Sequence, residues 1–279
     1  MTNDKTKIPF PATDSDPASD AEISGAVMKN ISEYDGHFAL KAKDKGSSRQ
    51  LLGKVCIVAF FVHDIKCAWK KEEKEIMKDV LIKTVEELNR QSGLSKNKLA
   101  LSYAYDDVPV QLKYERDNYM PLVREVLCQY GNYNNAAGYS AHYKAKFSKD
   151  EAPIVFFLHK DFRSFAQQHS SESADSSGEL SFVSYRDNID NCVRTLIHEL
   201  MHQFGAIDYY LPAKVKAVAE KVFDNSVMNG GLQIDPLTRY LIGWDKDPDE
   251  SVFSFLEQTK DVTEEEITQA YIEDSDNDW

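Results

Sequence analysis

The chain lacks any apolar run of about 18 residues, so nothing in it reads as a membrane-spanning helix. Residues 1–20 contain no apolar stretch of the kind that forms the middle of a secretory signal. Basic residues are in deficit, with 33 Lys and Arg against 46 Asp and Glu and a formal net charge of -13. That deficit argues against nucleic acid or an anionic membrane as partner, because both select basic surfaces. Cysteine is scarce: Cys56, Cys67, Cys128 and Cys192 form no Cys-x-x-Cys pair, which sets a cysteine metal site aside. Scattered, apolar-flanked positions such as Cys56 fit free buried thiols better than a disulfide framework.

Large apolar side chains are rare in residues 1–50, which are rich in Asp, Ser, Thr, Pro and Lys and read as a polar linker. The alternative is a pro-segment that covers an active site through an Asp. A thiol-based latch is excluded, because no cysteine precedes Cys56. Residues 261–279 lack Lys and Arg altogether, so the acidic tail (259–279) reads as a solvated helix that frays. Between these ends, residues 51–258 carry the folded domain. A content of 42% hydrophobic and 28% charged residues over 279 positions suits a soluble globular protein with one good core.

Within that domain, residues 53–62 are a continuous apolar run rich in β-branched and aromatic side chains, the pattern of a buried central strand. Residues 69–90 then repeat apolar positions at helical spacing (Met77, Leu81, Val85, Leu88), with Gly93 as the stop. Residues 99–105 alternate and return as a strand, with 108–114 extending or pairing with it. Strand, long helix, strand is a βαβ unit and predicts an α/β fold. A helix is expected over 119–130, a loop over 131–139, and a second buried strand over 153–159. His159, at the end of that strand, is read as hydrogen-bonded scaffolding. The Ser-rich residues 170–178 read as a mobile loop, and 179–185 as an edge strand.

Residues 195–208 carry the chemistry: Thr-Leu-Ile-His198-Glu199-Leu-Met-His202-Gln-Phe-Gly205-Ala-Ile-Asp208. On a helix, the i, i+4 spacing stacks His198 and His202 on one face, where two imidazoles can grip a single Zn²⁺. Glu199, one residue along, can hold and deprotonate a water. The helix is expected to start at an Asp190 or Asn191 cap. Gly205 can take the left-handed conformation that turns the chain back, bringing Asp208 round as a third ligand and leaving a fourth position open. Read as structure alone, the same five residues make an ordinary amphipathic helix with solvated His and Glu. Downstream, Asn225-Ser226-Val227-Met228-Asn229-Gly230-Gly231 has the look of a methionine turn.

With those two segments the chain resembles the metzincin clan of zinc peptidases, whose motif is His-Glu-x-x-His-x-x-Gly-x-x-His followed by a methionine turn. Asp stands here where the clan's last His does, a variant similar to the snapalysin-like and immune-inhibitor-A-like bacterial branches. The resemblance implies a twisted mixed sheet with packed helices (51–205), a small lower lobe (206–258), and a zinc endopeptidase acting on protein or peptide substrates as a monomer. It also implies export, with a leader outside this sequence; the residues themselves leave a cytoplasmic setting open. It assigns Glu199 as general base, His198, His202 and Asp208 as metal ligands, and Met228 as support beneath the site. Several families of the clan have a Tyr shortly after the turn methionine; none stands there here, and Tyr209 or Tyr210 are the nearest substitutes.

Two alternatives stay open on the residues alone. Glu220, with Asp224 four residues on, could supply the third ligand from a later helix (212–223) instead of Asp208. The domain could also be a catalytically silent metal-binding or adhesion protein, or a protease toxin with one dedicated target.

Overall fold

Alternation in the strands decides the layering. The computed structural model describes residues 30–93, 99–168, 178–186 and 188–277. Strand β1 (Gly53–His63) sends Val55, Ile57, Ala59 and Phe61 to one face of the sheet and Val58, Phe60 and Val62 to the other, each set entering a different core. Both faces are therefore buried, as a continuous apolar run requires. Helix α1 (Lys71–Gly93) places Met77, Val80, Leu81 and Leu88 on the first face, and β2 (Leu99–Pro109) returns parallel to β1, completing the expected βαβ unit. The strand runs on past Tyr105 but ends at Pro109, short of the expected 114.

Helices α2 (Met120–Cys128) and α3 (Ala136–Phe147) cover the second face. Helix α3 starts inside the segment read as a loop. Its signal is the cap at Asn135, whose side chain accepts from the Gly138 N–H at 2.8 Å. Strand β3 (Ile154–Leu158) pairs parallel with β1, a short β4 (Phe165–Gln167) follows, and β5 (Leu180–Ser184) pairs parallel with β3. The strand order is β2-β1-β3-β5-β4, and β4 runs antiparallel to β5. The sheet is thus mixed and the architecture α/β, as expected. One expectation is corrected: β5 is flanked on both sides, because the chain inserts β4 before it, and the outer strand of the described sheet is β4. The Ser-rich loop lies, but for Gly178, outside the described residues.

Helix α4 (Ile189–Gln203) packs Leu196, Ile197, Leu200 and Met201 on the α1 face. Its cap is Asn188 rather than the expected Asp190 or Asn191; the Asn188 side chain accepts from the Asn191 N–H at 3.0 Å. Buried Gln203 bolts the helix to the sheet, accepting from the Ile154 N–H at 3.1 Å and donating to the Ile154 carbonyl at 3.0 Å. After it, α5 (Ala213–Val222), α6 (Pro236–Leu241), α7 (Glu250–Thr259) and α8 (Glu264–Asn277) complete the chain. Trp244, Leu237 and Phe255 join the same core as α1 and α4. No helix among the described residues is long and apolar enough to cross a membrane.

The segment read as linker is packed where it is described. Residues from Ile31 onward belong to one compact unit with the rest of the chain. Ala39 is buried, Phe38 and Leu40 pack on the main core, and His37 Nε2 lies 3.1 Å from Thr259 Oγ1. Leu51 donates its N–H to Ile242 and accepts from the Trp244 indole, both at 2.9 Å. A few apolar side chains at spacings too short for any period are enough to dock this segment, which is why composition alone misread its second half.

Candidate metal centre

The end of α4 builds the site. Gly205 has φ of +91°, and a Cβ there would meet the Ala42 carbonyl oxygen at 2.8 Å, so glycine is required twice over. The chain closes in a Schellman turn: the Gly205 N–H donates to His202 at 3.0 Å and the Ala206 N–H to Met201 at 3.1 Å. That turn presents the Ala206 carbonyl to His202 Nδ1 at 2.9 Å, and it carries Asp208 back over the helix. His198 Nδ1 lies 3.0 Å from the Val227 carbonyl, in the turn that holds buried Met228. A carbonyl only accepts, so each ring holds its proton on Nδ1 and turns a bare Nε2 inward. Gln168 Nε2 donates to the same Ala206 carbonyl at 2.6 Å and so packs against the His202 ring.

Three electron-rich atoms then converge. His198 Nε2 and His202 Nε2 are 3.1 Å apart, and Asp208 Oδ1 lies 3.0 Å from the first and 3.2 Å from the second. Oδ1 is buried with no hydrogen bond of acceptable geometry. Lone pairs aimed at one another in a buried place repel, and a cation at their common centre relieves this. Among the described residues these three form the group whose ligand atoms lie close enough to hold one metal ion, all within 4.8 Å. Donors of this kind, two imidazoles and a carboxylate oxygen, suit zinc. The other Asp208 oxygen, Oδ2, accepts from Tyr210 and Tyr271, both at 2.8 Å.

The rival ligand is elsewhere. Glu220 stands exposed on α5, 3.9 Å from Lys216. Of the two candidate tyrosines, Tyr209 is a core residue whose hydroxyl meets Asp235 at 3.1 Å, whereas Tyr210 faces the site. His159 pairs with Glu73 at 3.1 Å and packs against Trp69 and Tyr185, away from the three ligand atoms, which agrees with a scaffolding role.

Glu199 lines the same cleft, of about 340 Å³, with His198, His202, Asp208 and the outer strand residues Phe165 and Ala166. Burial, opposed by His198 and reinforced by Asp208, pushes its carboxyl up to about 7. Beneath the site, Asp235 ties down the turn that holds Met228. It accepts from the hydroxyls of Ser226 and Thr238, both at 2.6 Å, and Ser226 in turn accepts from the Met228 N–H at 3.1 Å. Arg163, Gln168 and Tyr271 were missed in the sequence. They carry no motif, and Tyr271 lies 63 positions from the Asp it touches.

No protein-family model matches the sequence, and no curated protein does. Among solved structures the chain is similar to metalloproteinase-II from Bacteroides fragilis, with a TM-score of 0.40 and 10% identity across 76% of this chain. The match spans 60% of that protein's length. At this distance the likeness assigns no role to any residue.

Proposed function

We propose that the protein is a zinc-dependent endopeptidase of metzincin type, with His198, His202 and Asp208 as metal ligands and Glu199 as general base. The observation that carries this is the convergence of three unprotonated ligand atoms, with a second carboxylate beside them in an open cleft. A purely structural metal site has no use for that second carboxylate or for the open side. Bound zinc supplies Lewis acidity, lowering the pKa of water and polarising a carbonyl.

The chain's own residues do the rest. Glu199 takes a proton at its carboxylate as water attacks the peptide carbonyl, and returns it to the departing amide nitrogen. The Val227 and Ala206 carbonyls keep the two imidazoles aimed, so the ligand geometry is set before any ion arrives. Strand β4 has one side paired to β5; its other side lies along the cleft and offers backbone groups to an extended peptide. Tyr210 and Tyr271 hold Asp208 Oδ2, leaving Oδ1 as the single donor atom toward the metal.

The test is metal content together with cleavage of a diverse peptide library. Protein purified at near-neutral pH should hold about one zinc per chain, lose activity on chelation and regain it with zinc. A chain that binds no zinc under these conditions is not a zinc peptidase.

A further inference from the structure

The acidic tail was expected to be solvated, and its last helix instead reaches the metal centre. Helix α8 starts with a reciprocal cap: Glu266 accepts from the Thr263 N–H at 2.8 Å, and Thr263 Oγ1 accepts from the Glu266 N–H at 3.2 Å. Its near end is moored by a Lys41–Glu264 ion pair. Two turns on, Tyr271 donates to Asp208 at 2.8 Å and Asp274 pairs with Arg163 at 2.5 Å. Arg163 also lies over the Tyr210 ring, 5.3 Å from its centre. Tyr271 and Asp274 line the same cleft as Glu199 and β4.

Two features weaken the hold of this helix on the cleft. No residue of α8 whose burial is described is buried, and Tyr271 and Ile272 are 36% and 51% exposed, so apolar packing does little to hold the helix down. Its composition also opposes it: Glu264–Asn277 has six acidic residues and no Lys or Arg, and Glu273 and Asp274 stand toward the C-terminal end, where the helix dipole disfavours anions. The polar contacts of Tyr271 and Asp274 hold it over the cleft.

We propose that α8 is a self-inhibitory cover lying where substrate would lie, and that the substrate displacing it brings an acidic side chain to Arg163. This rests on the peptidase reading above. A peptide laid along β4 and helix α8 compete for one space. Arg116 and Arg163 are the arginines that line this cleft, and Asp274 fills the place beside Arg163 that a substrate carboxylate would take.

The experiment uses the zinc-loaded full chain, wild type against Asp274→Asn and the charge reversal Asp274→Lys. Two quantities are followed: the rate at which a small chelator strips zinc, and kcat/KM on two peptides that differ only by Glu or Gln near the scissile bond. Loss of one partly exposed ion pair should raise both quantities about two- to fivefold in Asp274→Asn, and further in Asp274→Lys. The Glu peptide should be the better substrate. Unchanged stripping and unchanged kcat/KM in both variants overturn the cover while leaving the peptidase standing. Faster stripping with no cleavage by any variant supports the cover and removes the peptidase. Equal rates on the Glu and Gln peptides overturn the assignment of an acidic substrate.

Discussion

His198 turns its Nδ1 toward the carbonyl oxygen of Val227, 3.0 Å away and 29 positions later in the chain. The residue beside Val227 is Met228, fully buried, so this turn meets the candidate site through its backbone. A carbonyl held rigidly at that point selects the tautomer with Nε2 bare, the form that ligates a metal.

That relationship makes the turn's own support testable. Ser226 joins the turn to buried Asp235 and accepts from the Met228 N–H. Ser226→Ala removes a donor from a buried carboxylate and should cost about 1–3 kcal/mol in urea unfolding. It should also weaken zinc binding by roughly tenfold or more through the displaced Val227 carbonyl. Ser226→Thr, which keeps the hydroxyl, should restore most of the zinc affinity. Titration with a competing chelator reads the result, and an affinity unchanged in Ser226→Ala would show that the turn does not aim His198.

For the base, Glu199→Gln keeps the size of the side chain and removes its ability to take a proton. Zinc content should stay at the wild-type level while kcat falls by at least about 100-fold, the scale of a lost general base. Turnover near wild type with zinc retained would move the base elsewhere.

The third ligand is decided by a pair of variants. Asp208→Ala should weaken zinc by more than a supporting residue does, beyond about tenfold, because Oδ1 is one of the three converging atoms. Glu220→Ala should leave both zinc and activity close to wild type, since Glu220 faces solvent beside Lys216. The reverse pattern would reassign the ligand and set aside the metzincin-type reading.

Acid stability depends on a group outside the cleft lining. Asp64 has a fully buried side chain, and burial alone would raise its pKa. The Lys160 ammonium and the backbone N–H groups of Tyr114, Lys66 and Cys67 outweigh burial and hold it below the ordinary value. A carboxyl depressed in the folded state contributes stability that is fully present above its unfolded pKa, about 3.9, and is lost as pH falls through the folded value. Urea midpoints should therefore drop for the wild type as pH falls below about 4. Asp64→Asn should be less stable at pH 7 and lose less on acidification; parallel pH profiles for the two proteins would exclude Asp64 as a contributor.

Much of the arrangement was legible in the residues. The apolar run of β1 and the helical spacing in α1 specify a βαβ unit, because burial on both faces and periodicity at 3.6 are local properties. The His198-Glu199-x-x-His202 core with Gly205 and Asp208 encodes its own geometry, since a helix of fixed pitch and one turn bring all four side chains together within eleven residues. Pairing and docking are different in kind. Which strand is outermost depends on β4, three residues long, whose identity comes only from its hydrogen bonds to β5. The packing of Phe38, Ala39 and Leu40 on the core, and of Tyr271 on Asp208, joins segments more than 60 residues from their partners. Contacts of that range leave no periodic trace, because their energy comes from surfaces that exist only once the sheet and α4 have formed. The sequence by itself named the proposed ligands and the proposed base; the tertiary structure alone decided what supports them from below and what lies over them.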